Sequence, residues 1–279
     1  MGKVWFVTGS SRGLGRSIVT AALEAGNRVA ASARNPRTLD DLVAKYGEQI
    51  HPIALDVADQ AAAEQAIKAA AEHFGRLDVV VNNAGYADVA AIEDVELDAF
   101  RRQIETNFYG TVHVTKAAVP VLRAQGGGHI VQITSIGGRV GTPGLAAYQS
   151  AKWAVEGFSE VLAKEVAPFG IKVTLVEPGG IRTDWAGSSM TIPPISEPYR
   201  QTVGAMVEMR EDFPSSAPID PDKAADAIVR ITGVEEPPLR LLLGRQATAL
   251  AAATARARDE DDARWRELSE SVEFDDVPA

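Results

Sequence analysis

Cysteine is absent from the 279 residues. Disulfides, thiolate metal sites and cysteine nucleophiles are excluded together, no metal site is expected, and the chain fits any redox compartment. A basic surplus is lacking too: 28 Lys and Arg stand against 38 Asp and Glu, for a net charge of −10. Such a chain has no positive field to collect nucleic-acid phosphates and is repelled by anionic membranes, so neither is an expected partner. No apolar run approaches the ~18 residues of a membrane span. The opening Met1-Gly2-Lys3-Val4-Trp5-Phe6-Val7-Thr8 is too short in apolar residues for a signal peptide and has no cleavage-like site. A cytoplasmic protein is expected.

With 46% hydrophobic and 24% charged residues, the composition is that of a soluble globular protein. Between residues 255 and 279 nine acids face four bases, so half of the net charge sits in the tail. At ~150 residues per domain the length allows two domains. The order of elements argues for one. Short β-branched runs at 4–7, 28–32, 51–55, 77–81, 129–133, 171–176 and 239–243 suit strands buried on both faces of a parallel sheet. Helical patterns lie between them near 13–25, 37–46, 59–75, 96–124, 147–168 and 222–232. This alternation predicts an α/β fold: a single Rossmann-type, doubly wound, parallel seven-stranded sheet with helices on both faces.

Residues 1–245 are expected to form that domain, and 246–279 a polar, alanine-rich helix with an acidic tail. One segment breaks the rhythm. From Asp184 to Pro221 lie six of the fifteen prolines and three of the four methionines. A connection this long is usually a functional lid or a disordered segment. Its large apolar side chains, Trp185, Met190, Ile192, Tyr199, Met206, Met209 and Phe213, predict a mobile lid over about 184–215 that covers a bulky hydrophobic ligand. The alternative is a helix pair packed permanently on the core.

Directly after the first strand comes Thr8-Gly9-Ser10-Ser11-Arg12-Gly13-Leu14-Gly15. Glycines let the backbone turn tightly and approach a pyrophosphate, and the helix that follows offers free N–H groups and a partial positive charge. The spacing G-x-x-x-G-x-G is a variant of the dinucleotide fingerprint. The same residues match G-x-S-x-G, the nucleophile elbow of α/β-hydrolases. A hydrolase, however, needs its oxyanion loop before the nucleophile, and only ten residues precede Ser11. The four histidines, His51, His73, His113 and His129, are not placed late in the chain where a triad base belongs. A serine hydrolase is the weaker alternative.

An NAD-specific site has an acid about 20 residues beyond the glycines, on the ribose 2′-hydroxyl. Here Ala33 stands in that place, followed by Arg34. A guanidinium can pair with a 2′-phosphate, and Arg12 offers a second charge. NADP(H) is therefore expected, ahead of NAD(H).

Thirteen residues after Ser135, a helix opens with Tyr148-Gln149-Ser150-Ala151-Lys152. Tyr148 and Lys152 are one turn apart on the same face. A tyrosine with a pKa of about 10 is a poor acid–base catalyst at neutral pH. A nearby ammonium favours the phenolate and brings it towards the working range.

Together these features resemble the short-chain dehydrogenase/reductase family. Its motifs occur in order: Thr8-Gly9-x-x-x-Gly13-x-Gly15, Asp56-Val57, Asn82-Asn83-Ala84-Gly85, Asn107, Ser135, Tyr148-x-x-x-Lys152 and Pro178-Gly179. The chain looks most like the subgroup of 17β-hydroxysteroid- and retinol-dehydrogenase-like oxidoreductases. The resemblance implies hydride transfer between NADP(H) and a secondary alcohol or ketone. It makes Tyr148 the general acid, Lys152 its electrostatic partner and a ligand of the nicotinamide ribose, Ser135 the holder of the substrate oxygen, and Asn107 the positioner of a relay water or the side chain that stabilises a helix kink. Asp56 and Val57 would meet the adenine, Asn83, Ala84 and Gly85 would pack along its ribose, and Thr183 would reach the carboxamide or phosphates. The implied cofactor contacts are completed by Gly9, Ser11, Arg12, Gly13, Leu14, Gly15, Arg34, Pro178, Gly179 and Ile181. Ser135, Tyr148 and Trp185 are the expected substrate contacts. Family members usually form homodimers or homotetramers through the helices corresponding to 96–124 and 147–168. A non-catalytic dinucleotide sensor on the same fold is the other alternative.

Overall fold

Within the first strand, Val4 and Phe6 face one side and Trp5 and Val7 the other, and all four are fully buried. Neighbouring strands repeat this two-sided burial, which demands helices on both faces of the sheet. In the computed structural model, which describes residues 2–183, 190–209 and 213–274, the strands are β1 (Val4–Val7), β2 (Arg28–Ala33), β3 (Ile50–Ala54), β4 (Val79–Asn82), β5 (Gly128–Ile133), β6 (Ile171–Pro178) and β7 (Arg240–Leu243). They form one sheet in the order β3-β2-β1-β4-β5-β6-β7, with every pair parallel. The expected seven-stranded, doubly wound sheet is present, with strand ends displaced by at most two residues. The order reverses between β1 and β4, which opens a crevice at their carboxyl ends.

One face is covered by α1 (Gly13–Glu24), α2 (Asp40–Tyr46) and α9 (Pro221–Ile231), whose Ile18, Val19, Leu42 and Ile228 join Trp5, Val29 and Val131. The other face carries α3 (Gln60–Phe74), α5 (Gly110–Ala124) and α6 (Ala146–Val166), with Ile67, Leu122 and Leu162 against Phe6, Val80 and Ile130.

The single helix expected over 96–124 is broken. α4 (Leu97–Ile104) runs into a π-helical turn (Glu105–Tyr109) before α5 begins. Asn107 is the cause. Its fully buried side chain donates through Nδ2 to Gln103 O at 2.8 Å, the carbonyl that its own backbone N–H would take in an α-helix. The same group donates to Tyr86 O at 2.9 Å, and Oδ1 accepts from Tyr86 N at 3.1 Å. A side chain that competes for an i−4 carbonyl widens the turn.

The insertion before α9 contains the short helices α7 (Ala205–Glu208) and α8 (Phe213–Ser216). Residues 190–209 lie against the body. Val203 and Met206 are buried with Val89, Leu145 and Tyr148, Val89 N donates to Thr191 O at 2.9 Å, and Tyr199 OH donates to Glu93 at 2.7 Å. Ile192 and Met209 are exposed. Trp185, expected at the substrate, lies outside the described residues. After β7, α10 (Arg245–Glu270) buries only Ala247 and Ala251. Farther along, Arg258 stacks over the Trp153 ring and donates to Arg139 O at 2.7 Å. Among the described residues, no helix is long and apolar enough to cross a membrane.

Candidate active site

Between β1 and α1 the chain turns on glycines because nothing else fits. Gly9 and Gly13 have φ of +68° and +55°, a left-handed backbone that side chains disfavour. At Gly15 a Cβ would stand 2.3 Å from Gly9 O and 2.4 Å from Asn83 Nδ2. The turn is clamped to the end of β4 by side chains. The Thr8 hydroxyl accepts from Asn83 N and Ala84 N at 2.9 and 3.0 Å, and Asn83 Nδ2 donates to Thr8 O at 2.9 Å. α1 then starts at Gly13 with no side-chain cap, leaving its first N–H groups for an anion. A bare helix start beside glycines held open by their neighbours suits a pyrophosphate, so the residues present fit a dinucleotide.

From this turn a cleft of about 1120 Å³ runs across the carboxyl ends of the strands. One end is lined by Gly9, Ser11, Arg12, Gly13, Leu14, Gly15, Ala33, Arg34, Asp56 and Val57. Asn83, Ala84, Gly85, Asn107, Pro178, Gly179, Ile181 and Thr183 line its middle, with Ser135, Tyr148 and Lys152. Apart from Trp185, every residue expected at the site from the sequence lines this one cleft. Arg12 and Arg34 are both exposed.

Tyr148 and Lys152 lie on α6 over the end of β5. Both are buried, Tyr148 at 7% and Lys152 at 5% exposure. Lys152 Nζ donates to Ile133 O at 2.8 Å and sits 5.6 Å from the Tyr148 ring centroid. Burial pushes the Lys152 ammonium down to about 8, because a charge removed from water loses its hydration. Ser135 follows β5 in extended backbone, and its Oγ accepts from Gly137 N at 3.0 Å. Gly85 passes between Asn107 and Lys152: a Cβ there would stand 2.5 Å from Asn107 Oδ1 and 3.7 Å from Lys152 Nζ. The Asn107 side chain is committed to the backbone of Gln103 and Tyr86 and so braces this junction.

Several lining residues had no signal in the sequence reading. Gln149 follows Tyr148 in α6, and Leu145 precedes that helix as its N-cap. Gln246 and Leu250 come from α10, which reads as a polar appendage, and they line the cleft only because α10 folds back. Tyr86 and Arg102 are likewise brought in by packing. None of the four histidines lines the cleft. His51 and His73 stack on each other, His113 meets Val57 O, and His129 meets the Thr174 hydroxyl. Ser11 therefore has no imidazole to activate it.

Comparison with known proteins agrees with this geometry. The family description "short chain dehydrogenase" matches residues 3–191. Oxidoreductase BOA17 of Botryotinia fuckeliana is 55% identical over 270 residues, covering 96% of this chain and 98% of its own. A short-chain dehydrogenase from Streptomyces avermitilis superposes with a TM-score of 0.92 at 38% identity, over 98% of this chain and 100% of that one. A short chain dehydrogenase from Burkholderia cenocepacia, solved in complex with NADP, gives 0.75 at 27% identity over 94% and 97%. With the glycine turn, the buried Tyr148–Lys152 pair and these relatives in agreement, the chain belongs to the short-chain dehydrogenase/reductase family of oxidoreductases.

Proposed function

We propose that this oxidoreductase uses NADP(H) to interconvert a secondary alcohol and a ketone, with Tyr148 as general acid and base. One observation carries the reading: the buried Tyr148 and Lys152 line, together with Ser135, the same cleft as the glycine turn. The backbone at Gly9, Gly13 and Gly15 would approach the pyrophosphate, at the uncapped start of α1. Arg34 and Arg12 would pair with the 2′-phosphate, while Ala33 offers a free 2′-hydroxyl no acceptor. When bound, the nicotinamide dinucleotide supplies or accepts the hydride.

The protein's own residues handle the proton. The Ser135 hydroxyl donates to the substrate oxygen and fixes its distance from Tyr148. The Tyr148 hydroxyl gives its proton to that oxygen in reduction and recovers it in oxidation. Lys152, steadied by Ile133 O, keeps a positive charge near the phenol and favours the phenolate. Asn107 holds the kink that lets its segment pass Lys152, compatible with a water relay there.

The cleft is also lined by Val140, Leu145, Met209 and Leu250, with Thr142, Gln149, Thr191 and Gln246 as polar neighbours. This supports a bulky hydrophobic ketone under a lid that includes residues 190–209. Tyr109, Val161 and Phe169 are exposed on or beside the two long helices, which supports a homo-oligomer built through that face.

A panel of ketones followed by NADPH absorbance tests the proposal. Turnover with a hydrophobic ketone is expected. Tight NADPH binding without turnover of any ketone or alcohol would favour the sensor, and labelling of Ser11 by a fluorophosphonate would favour the hydrolase.

A further inference from the structure

Outside the cleft lining, near Ser135, two buried carboxylates gather with two partly exposed guanidiniums. Glu177 near the end of β6 is fully buried, and Glu156, one turn beyond Lys152 on α6, is nearly so. Arg139 Nε lies 2.6 Å from Glu177 Oε2, and its Nη2 donates to Oε1 at 2.9 Å. Arg240 on β7 donates to the same Oε1 at 2.8 Å, ion-pairs with Glu156, and reaches Glu160 at 2.6 Å. None of these groups lines the cleft. A buried ion cluster seldom stabilises a fold better than apolar packing would, and one possible return is a fixed conformation.

The conformation at stake here is the segment that carries Ser135. Its two ends are tied to the two buried carboxylates. Thr134 Oγ1 donates to Glu156 Oε1 at 3.1 Å, and Arg139 grips Glu177. Between them, Gly138 lies so near Glu156 that a Cβ would stand 2.4 Å from Oε1. Ser135 Oγ is itself fixed by Gly137 N, so its direction follows the path of residues 134–139. On the outer side, Arg258 of α10 holds Arg139 O.

We propose that Arg139 is a positioning residue: with Glu177, Glu156 and Arg240 it holds residues 134–139 in the path that presents the Ser135 hydroxyl to the substrate. The proposal rests on Ser135 acting as described above. It assigns Arg139 no contact with substrate or cofactor, only an effect that passes through Ser135.

A double-mutant cycle separates this from general stabilisation. In wild type, Arg139→Gln should lower kcat about ten- to a hundredfold, as misplacement of a reacting group does. NADPH Kd and ketone KM should stay within about twofold, since neither ligand touches the cluster. In a Ser135→Ala background the same substitution should change kcat by less than about twofold, because the group it positions is gone. If Arg139→Gln does not fold, Thr134→Val keeps every charge, removes the hydroxyl's bonds to Glu156 Oε1 and Val176 O, and should show the same dependence on Ser135. Equal losses in both backgrounds, or no loss in either, would overturn the positioning role alone. A Ser135→Ala enzyme as fast as wild type would overturn the role of Ser135 first, and this proposal with it.

Discussion

At the glycine turn the cleft is shaped by backbone, whereas farther along it is walled by side chains gathered from distant parts of the chain. Residues 9–15, 33–34, 56–58 and 83–86 are short stretches at the ends of adjacent strands, and the glycines among them exclude side chains by contact. Val140, Leu145, Thr191, Met209 and Leu250 come instead from a loop, a helix, the insertion and the terminal helix. A wall of backbone keeps its shape when a neighbouring side chain changes. A wall of side chains changes with every substitution. Cofactor and substrate terms should therefore respond separately to mutation, and only residues at the junction should move both.

The largest effect is expected at that junction. Tyr148→Phe keeps the ring and removes the proton donor, so kcat should fall by about 10²–10⁴, the range of general acid–base catalysis. NADPH affinity, read by fluorescence titration, should be largely kept. Retention of more than about a tenth of the activity would contradict the acid–base role.

The next effect belongs to the dinucleotide end. A charge-assisted hydrogen bond contributes ~1.5–3 kcal/mol, so wild type should prefer NADPH over NADH at least about tenfold in kcat/KM. Arg34→Ala should remove most of that preference by weakening NADPH alone. Ala33→Asp should go further, since a carboxylate repels the 2′-phosphate and binds a free 2′-hydroxyl. The preference should shrink in high salt because Arg34 is exposed. Equal use of both cofactors by wild type would contradict the reading.

A smaller effect concerns stability at the junction. Lys152 holds its proton to about pH 8 when folded and to about 10.4 when unfolded. Between those values the unfolded chain binds more protons, so the stability of the cofactor-free protein should rise with pH. Below pH 8 both states are protonated, and Lys152 adds no slope. Melting temperatures from pH 7 to 10 should show wild type gaining on Lys152→Met. Parallel curves would mean that the ammonium is not desolvated as its burial implies.

The smallest difference is one of timing. Hydrogen exchange in residues 190–209 should begin early and slow when cofactor and product are both present, while the strands around the glycine turn stay protected throughout. Equal protection with and without ligands would instead describe a permanently packed helix pair.

The legible part of the fold was the part decided by neighbours in sequence. Strand positions followed from the Val- and Ile-rich runs, and the helix starts at Gly13 and Ala146 fell within a residue of expectation. The pairing of Tyr148 with Lys152 needed only the pitch of one helix. The kink at Asn107 was open only through the family resemblance, because helical pitch alone runs on through 96–124 and one bond that holds the kink goes to Tyr86, 21 residues away. The reach of α10 into the cleft escaped, since Gln246 and Leu250 carry no motif and their helix is polar on most of its surface.

By itself the amino-acid order determined the strands, the glycine turn and the pairing of Tyr148 with Lys152 at the start of α6, because turn geometry, side-chain bulk and helical pitch act within a few residues. Tertiary structure alone decided that Arg240 meets Glu156 and Glu177, 84 and 63 residues away. It also burned no motif into the chain to announce that these charges lie behind Ser135, or that the terminal helix closes the far wall. Charge pairs form wherever the sheet order brings them together, and that order is settled by the packing of both apolar faces at once.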